Sequence, residues 1–161
     1  ASCLVGSEIC IRDRTKGVEE LASTLTAKDA MLIFPEGRNW TRERHEVLVE
    51  DLGARGETAR QELARSRPWV LEPRSRGVAA MREHAPDADV MVIAHTGLDM
   101  ISGPAAVVRA VPFRNRLLIR GRTYHSEDVP IRPDEVAAWL DARWAEVNSW
   151  VDTRISGREH L

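Results

Sequence analysis

Three short apolar runs limit the folds open to this chain more than any other feature. Residues 8–12 (EICIR), 30–34 (AMLIF) and 89–95 (DVMVIAH) have the length of strands, not of core helices. Pro35 closes the second of them, as a residue without a backbone donor must in a buried ladder. Between these runs the apolar period becomes helical. Val18, Leu21 and Leu25 recur along 16–29, and Leu48, Leu52, Ala59 and Leu63 form a stripe along 41–64 that is interrupted near Gly53 and Gly56. Residues 68–77 read as a short extended piece, and 77–84 (GVAAMREH) as a short helix. Two further β-rich runs, 105–113 and 116–124, flank a polar turn at Arg114 and Asn115. The last element is the clearest. Pro133 suits a first helical position, Asp134 and Glu135 suit the first turn, and Val136, Leu140, Trp144, Val147 and Val151 continue a helix over 133–152. Strands alternating with helices predict an α/β fold, a mostly parallel mixed sheet flanked by helices. No repeat or linker divides the chain, so 1–161 reads as a single domain.

Composition narrows the function classes. A hydrophobic fraction of 43% with 30% charged residues is that of a chain with a core, and the net charge of −2 gives no electrostatic drive toward nucleic acid. The cysteines, Cys3 and Cys10, make no disulfide framework, which points to a reducing compartment. No apolar run approaches the roughly 20 residues that cross a bilayer, and the start lacks the basic region of a signal peptide. Without an initiating Met, the chain reads as a fragment or a processed product. Neither metal-ligand spacing, a nucleophile elbow nor a Gly-rich phosphate loop is found, so no metal or bound cofactor is expected.

One stretch concentrates chemistry. In LIFPEGRNW (32–40) a strand-like run ends in a proline, an acid, a glycine and a cation. Open α/β sheets bind ligands beyond the carboxyl ends of their strands, which places this tip where a site belongs. Gly37 permits a positive φ or a close backbone approach. A helix starting near Thr41 offers free N–H groups to an anion, and Arg38 offers a planar fork to phosphate oxygens. The plain alternative is a strand-ending turn with a solvated acid and base.

FPEG after such a run resembles the third block of the glycerol-phosphate and lysophospholipid acyltransferase family. The usual form there is F-P-E-G-T-R-S, with variants like the RNWT of 38–41. Other segments match in the family's order. GSEICIR (6–12) resembles the second block, VLEPRSRGVAAM (70–81) the L-x-P-R-x-x-G segment, DVMVIAHTG (89–97) the fourth block, and WLDARWAEVNSWV (139–151) the Trp-rich C-terminal helix. The resemblance implies acyl transfer from acyl-coenzyme A or acyl-carrier protein to a hydroxyl of lysophosphatidic acid or a related lysophospholipid, in phospholipid biosynthesis. It implies a membrane-associated location on the cytoplasmic side, peripheral or anchored through a preceding segment. It assigns acceptor binding to Arg12, Glu36 and Gly37. Arg38 and Asn39 stand where the family has Thr-Arg, so the cation is displaced by one position, and a phosphodiester head group would suit the lower charge at Asn39.

The same resemblance exposes a gap. A hydroxyl is a poor nucleophile near neutral pH, so the family uses a histidine, oriented by an aspartate, as general base. That H-x4-D block precedes the second block, and is expected upstream of residue 1; this chain alone is then inactive. The other reading is a non-catalytic lipid- or acyl-carrier-binding remnant. A formal H-x4-D, His84 to Asp89, comes after FPEG and contains Pro86, so it reads as a turn. His45 reads as solvent-facing, His95 as a strand terminus, His125 as part of a turn and His160 as tail. The arginines of 42–76 are interleaved with acids, the pattern of a solvated, salt-bridged surface. Trp40 and Trp69 read as interfacial contacts near the site, and Trp139, Trp144 and Trp150 as helix-packing residues.

Overall fold

The strongest sequence pattern gives the longest element. In the computed structural model, which describes residues 11–97 and 116–156, the C-terminal helix α5 runs from Pro133 to Ser156. Two neighbouring stripes of it organise the rest. Val136 and Leu140 bury against Val78 and Ala79 of α4 (Ser75–His84), with Ile33, Met81, Trp139 and Trp144 packed around them. Each such buried Val or Leu stabilises by about 1.5–3 kcal/mol. The second stripe, Trp139, Arg143, Glu146 and Trp150, faces the strands β1 (Val90–Thr96) and β2 (Leu118–Tyr124), where Tyr124 meets Trp139 edge-on at 5.2 Å. Helix α1 (Ile11–Ser23) packs on the far side of α4. Helices α2 (Arg42–Ala54) and α3 (Thr58–Arg65) form a hairpin that turns at Gly56, whose φ is 72°. Thr41 caps α2, its hydroxyl accepting the Arg44 N–H at 3.2 Å.

The domain is α/β, but its described sheet is two-stranded and antiparallel, not mostly parallel. Val90 pairs with Tyr124 and Thr96 with Leu118, so the chain re-enters beside the end of β1 and must run back along it. The strand expected over 8–12 is corrected: Glu8 to Cys10 lie outside the described residues, and Ile11 and Arg12 open α1. Ile11, Val18 and Ala22 fall at helical spacing, so the short run continues the period of the segment behind it. Residues 30–34 form no helix or strand and have no strand partner among the described residues. Ile33 turns into the α4–α5 core, while Leu32 and Phe34 remain 68% and 74% exposed. The alternation of a strand is there without its ladder. The run 105–113 lies outside the described residues.

Two polar devices join the elements. Arg82 on α4, only 1% exposed, donates to five carbonyls: Ala88 at 2.9 Å, Ser126 and Val129 at 3.0 Å, and Ala85 and Pro130 at 3.4 Å. It fastens the end of α4 to the β2–α5 connection. The segment 67–74 straps the α2–α3 hairpin to α5. Trp69 donates its backbone N–H to Asn148 at 2.9 Å and its indole N–H to Asp152 at 2.8 Å, Arg67 pairs with Asp141 at 3.2 Å, and Glu72 takes a bidentate contact from Arg60 at 2.7 and 2.6 Å. The expected salt-bridged surface is therefore present. Trp40 and Trp69, both half-buried, pack on each other at 5.7 Å, and Trp40 donates to the Pro68 carbonyl at 3.1 Å. No helix among the described residues is long and apolar enough to cross a membrane.

Candidate functional site

The strap delivers residues 71–74 to the FPEG tip. Pro35 sets the entry of a four-residue turn, closed by the Gly37 N–H donating to the Phe34 carbonyl at 3.0 Å. Gly37 has φ 70°, a left-handed conformation that a side chain disfavours. The Pro35 carbonyl accepts the Arg74 N–H at 2.9 Å, which locks the turn to the LEPR segment. Between them sits the half-buried carboxylate of Glu36. The Trp144 indole N–H donates to its Oε1 at 2.8 Å, and the Leu71 backbone N–H is a second donor. Burial outweighs both, holding the Glu36 carboxyl above its ordinary 4.5. No arginine or lysine pairs with it among the described residues. It is an acid fixed by neutral donors, with acceptor capacity left over.

Cations surround the turn without touching that acid. A Cβ placed on Gly37 would lie 3.1 Å from Nη1 of Arg74, so this glycine is what lets the Arg74 guanidinium cover the turn. Arg74 and Arg38 are both exposed, and neither guanidinium has a hydrogen-bond or ion-pair partner among the described residues. Asn39 is exposed, and its carbonyl accepts from Arg44 at 2.8 Å.

The structure thus gathers Glu36, Gly37, Arg38 and Asn39 on one turn, and joins to them three residues that sequence reading missed: Leu71, Arg74 and Trp144. Arg74 had a visible signal, as the arginine of the L-x-P-R segment. Trp144 had a weaker one, an indole N–H on a helix face that must find an acceptor once buried. Arg12, by contrast, lies in the first turn of α1, so its expected place at the end of a strand beside FPEG is corrected.

Three of the described histidines, His45, His84 and His125, are engaged elsewhere. His84 Nδ1 lies 2.9 Å from the Ala80 carbonyl, while Asp89 faces His125 Nδ1 at 3.3 Å and accepts the Ser126 N–H at 2.9 Å, so the formal H-x4-D makes no dyad. His45 does not face open solvent as expected. Its Nε2 sits 2.9 Å from the Ala64 carbonyl, across the α2–α3 hairpin. His95 is exposed on the outer face of β1, opposite Ile119.

Compared with protein-family models, with curated proteins and with solved structures, the chain finds no match.

Proposed function

We propose that this chain is the core of an O-acyltransferase that moves an acyl group from acyl-coenzyme A or acyl-carrier protein to a hydroxyl of lysophosphatidic acid or a related lysophospholipid. One observation carries the reading. Three segments on which the acyltransferase resemblance rests, FPEG, LEPRSRG and the Trp-rich helix, converge on the Glu36 carboxylate through the Trp144 bond at 2.8 Å, the Leu71 N–H and the Arg74–Pro35 bond at 2.9 Å. In this reading Arg74 and Arg38 hold the acceptor's phosphate, and Arg74 takes the contact expected of Arg12. Glu36 accepts from a glycerol hydroxyl and orients it, and the bare Gly37 keeps the approach open. The general base comes from a histidine–aspartate pair preceding residue 1.

The finer fold goes with this reading. The 30–34 run would be an interior strand of a mostly parallel mixed sheet in the acyltransferase-like fold, and its unpaired backbone is free to take that place. Exposed Leu32 and Phe34 give apolar surface beside the turn for a lipid chain, in keeping with a protein peripheral to the cytoplasmic side of a membrane.

Titration of thiol released from acyl-coenzyme A in the presence of lysophosphatidic acid is the test. The 161-residue chain is expected to bind the lipid without turnover, and the chain preceded by its natural upstream sequence to turn over. In the extended form, Arg74→Gln raises the acceptor's KM by about 10- to 100-fold with little change in kcat, because a charge-assisted contact contributes about 1.5–3 kcal/mol. An unchanged KM removes Arg74 from the phosphate site. Turnover by the chain alone returns the base to one of its own histidines. Lipid binding without turnover in the extended form favours the non-catalytic remnant.

A further inference from the structure

A second open feature lies away from the Glu36 turn. Between β2 and the C-terminal half of α5 runs a groove of about 490 Å³, lined by Arg120 and Arg122 from the strand and by Glu146, Trp150 and Arg154 from the helix. A smaller pocket of about 20 Å³ that shares Arg120, Arg122, Glu146 and Trp150 with it is lined also by Arg143 and Tyr124. Trp144 points to Glu36, whereas Glu146 and Trp150, about 200° and 240° further around the helix, point into the groove, so the two places are distinct.

The charges of the groove do not balance. Among the described lining residues three arginines face one carboxylate, Glu146, which is already occupied: Oε1 accepts from Arg143 at 2.8 Å, and Oε2 from Arg122 at 3.0 Å and from the Tyr124 hydroxyl at 3.1 Å. Arg122 and Arg143 also crowd the same ring, each guanidinium 5.0 Å from the Tyr124 centroid. Arg120 has no partner among the described residues, and Arg154 rests only on the Trp150 ring at 6.0 Å. The Arg143 Nε–H is buried without an acceptor among the described residues. Like charges gathered on one groove repel, and an anion bound there relieves that repulsion. The volume lies within the range of small-molecule sites, guanidinium forks match phosphate oxygens, and the indole of Trp150 gives a planar apolar face.

We propose that the β2–α5 groove binds a nucleotide carrying two or more phosphates, with Arg120, Arg122 and Arg154 on the phosphates and the base against Trp150. The inference stands without the acyl-transfer reading. Under that reading it deepens it, since the adenine nucleotide end of coenzyme A belongs to this ligand class.

Calorimetric titration of the whole chain with ADP, pyrophosphate, adenosine and a Glu-rich peptide tests the proposal, with lysophosphatidic acid titrated in parallel. ADP is expected to bind saturably, more tightly than pyrophosphate, and more weakly as salt rises. Adenosine is expected not to bind. The double variant Arg120→Gln/Arg154→Gln replaces two surface side chains and should weaken ADP at least 10-fold while leaving lysophosphatidic acid binding intact, which also reports that the variant is folded. Trp150→Leu should weaken ADP several-fold and leave pyrophosphate unchanged. Absence of ADP binding, an ADP affinity unmoved by the double variant, or equal affinity for pyrophosphate or the peptide overturns the proposal. Loss of lysophosphatidic acid binding with ADP binding retained counts against the acyltransferase reading alone.

Discussion

Arg82 and Glu36 are both charged side chains drawn out of water, and the protein treats them in opposite ways. Arg82 spends its guanidinium on five carbonyls and has no ion-pair partner among the described residues, only the charge of Asp87 beyond pairing distance. Glu36 has the Trp144 indole and the Leu71 N–H, no cation among the described residues, and beside it the Arg74 guanidinium, which has no partner there and covers Gly37. A closed polar cluster reads as structure, because its bonding capacity is used up inside the fold. An open one reads as a site, because capacity remains where a ligand can reach it. Burial alone does not separate the two; the count of unfilled bonds does.

The largest effect is expected at the closed cluster. Arg82→Met keeps most of the packing volume but removes a donor from five carbonyls, of which Ala85 and Ser126 keep a backbone N–H, from Ala88 and Val129. The carbonyls of Ala88, Val129 and Pro130 are left without it, Val129 being buried and the other two half-buried, and each orphaned group costs about 1–3 kcal/mol, so a loss of roughly 3 kcal/mol or more in urea unfolding is expected. Arg82→Lys should rescue little, since one ammonium cannot span carbonyls from residues 85 to 130. If either variant stays within about 0.5 kcal/mol of the parent, Arg82 is no hub, and the contrast with Glu36 collapses.

Elements whose local pattern decided their structure were legible in advance. The 133–152 helix was, because first-turn acids and a continuous apolar stripe agree, and so were the 89–95 run and the break in the arginine-rich segment near Gly53 and Gly56. Short runs without a period of their own were not. Residues 30–34 have a strand's alternation, but strand pairing depends on a neighbour that a sequence window does not contain. Residues 11 and 12 were claimed by the helix behind them. At the site, Glu36 and Gly37 stood out by residue type, while Trp144 lies 108 positions from the carboxylate it holds, a distance no spacing rule reaches. Arg82 went unremarked because a buried arginine and a surface arginine look alike in sequence.

At the open cluster a smaller effect is expected, and it sharpens the comparison by moving a cation without deleting it. Gly37→Ala puts a methyl group 3.1 Å from Arg74 Nη1 and forces a side chain to φ 70°. The left-handed conformation costs about 1–2 kcal/mol for a residue with a Cβ. Stability should fall by about that much. Because Arg74 is exposed, its guanidinium can swing aside, and lysophosphatidic acid binding should drop with it. Arg74→Gln should leave stability unchanged and weaken the same binding. Equal lipid affinity in parent and Gly37→Ala would show that the placement of Arg74 over the turn is incidental.

The smallest effect separates the two charges by their response to protons. Desolvation holds the Glu36 carboxyl above its ordinary 4.5, against the Trp144 and Leu71 hydrogen bonds that favour the ionised form. The folded protein therefore binds this proton more tightly than the unfolded chain does. By linkage, the associated stability is fully present below about pH 4.5 and is lost as the pH rises through the folded value. Glu36→Gln removes that loss while keeping an oxygen to accept from Trp144 and Leu71. The variant should gain on the parent as the pH rises above about 4.5 and run parallel to it once the folded carboxyl is fully ionised, in urea midpoints taken across a pH series. Parallel curves throughout would mean that Glu36 is as well solvated as any surface acid. The gain should shrink when lysophosphatidic acid is present, because a hydroxyl donated to the ionised carboxylate restores to the parent what burial withholds. Arg82, its donors already spent, should show no such dependence on the ligand.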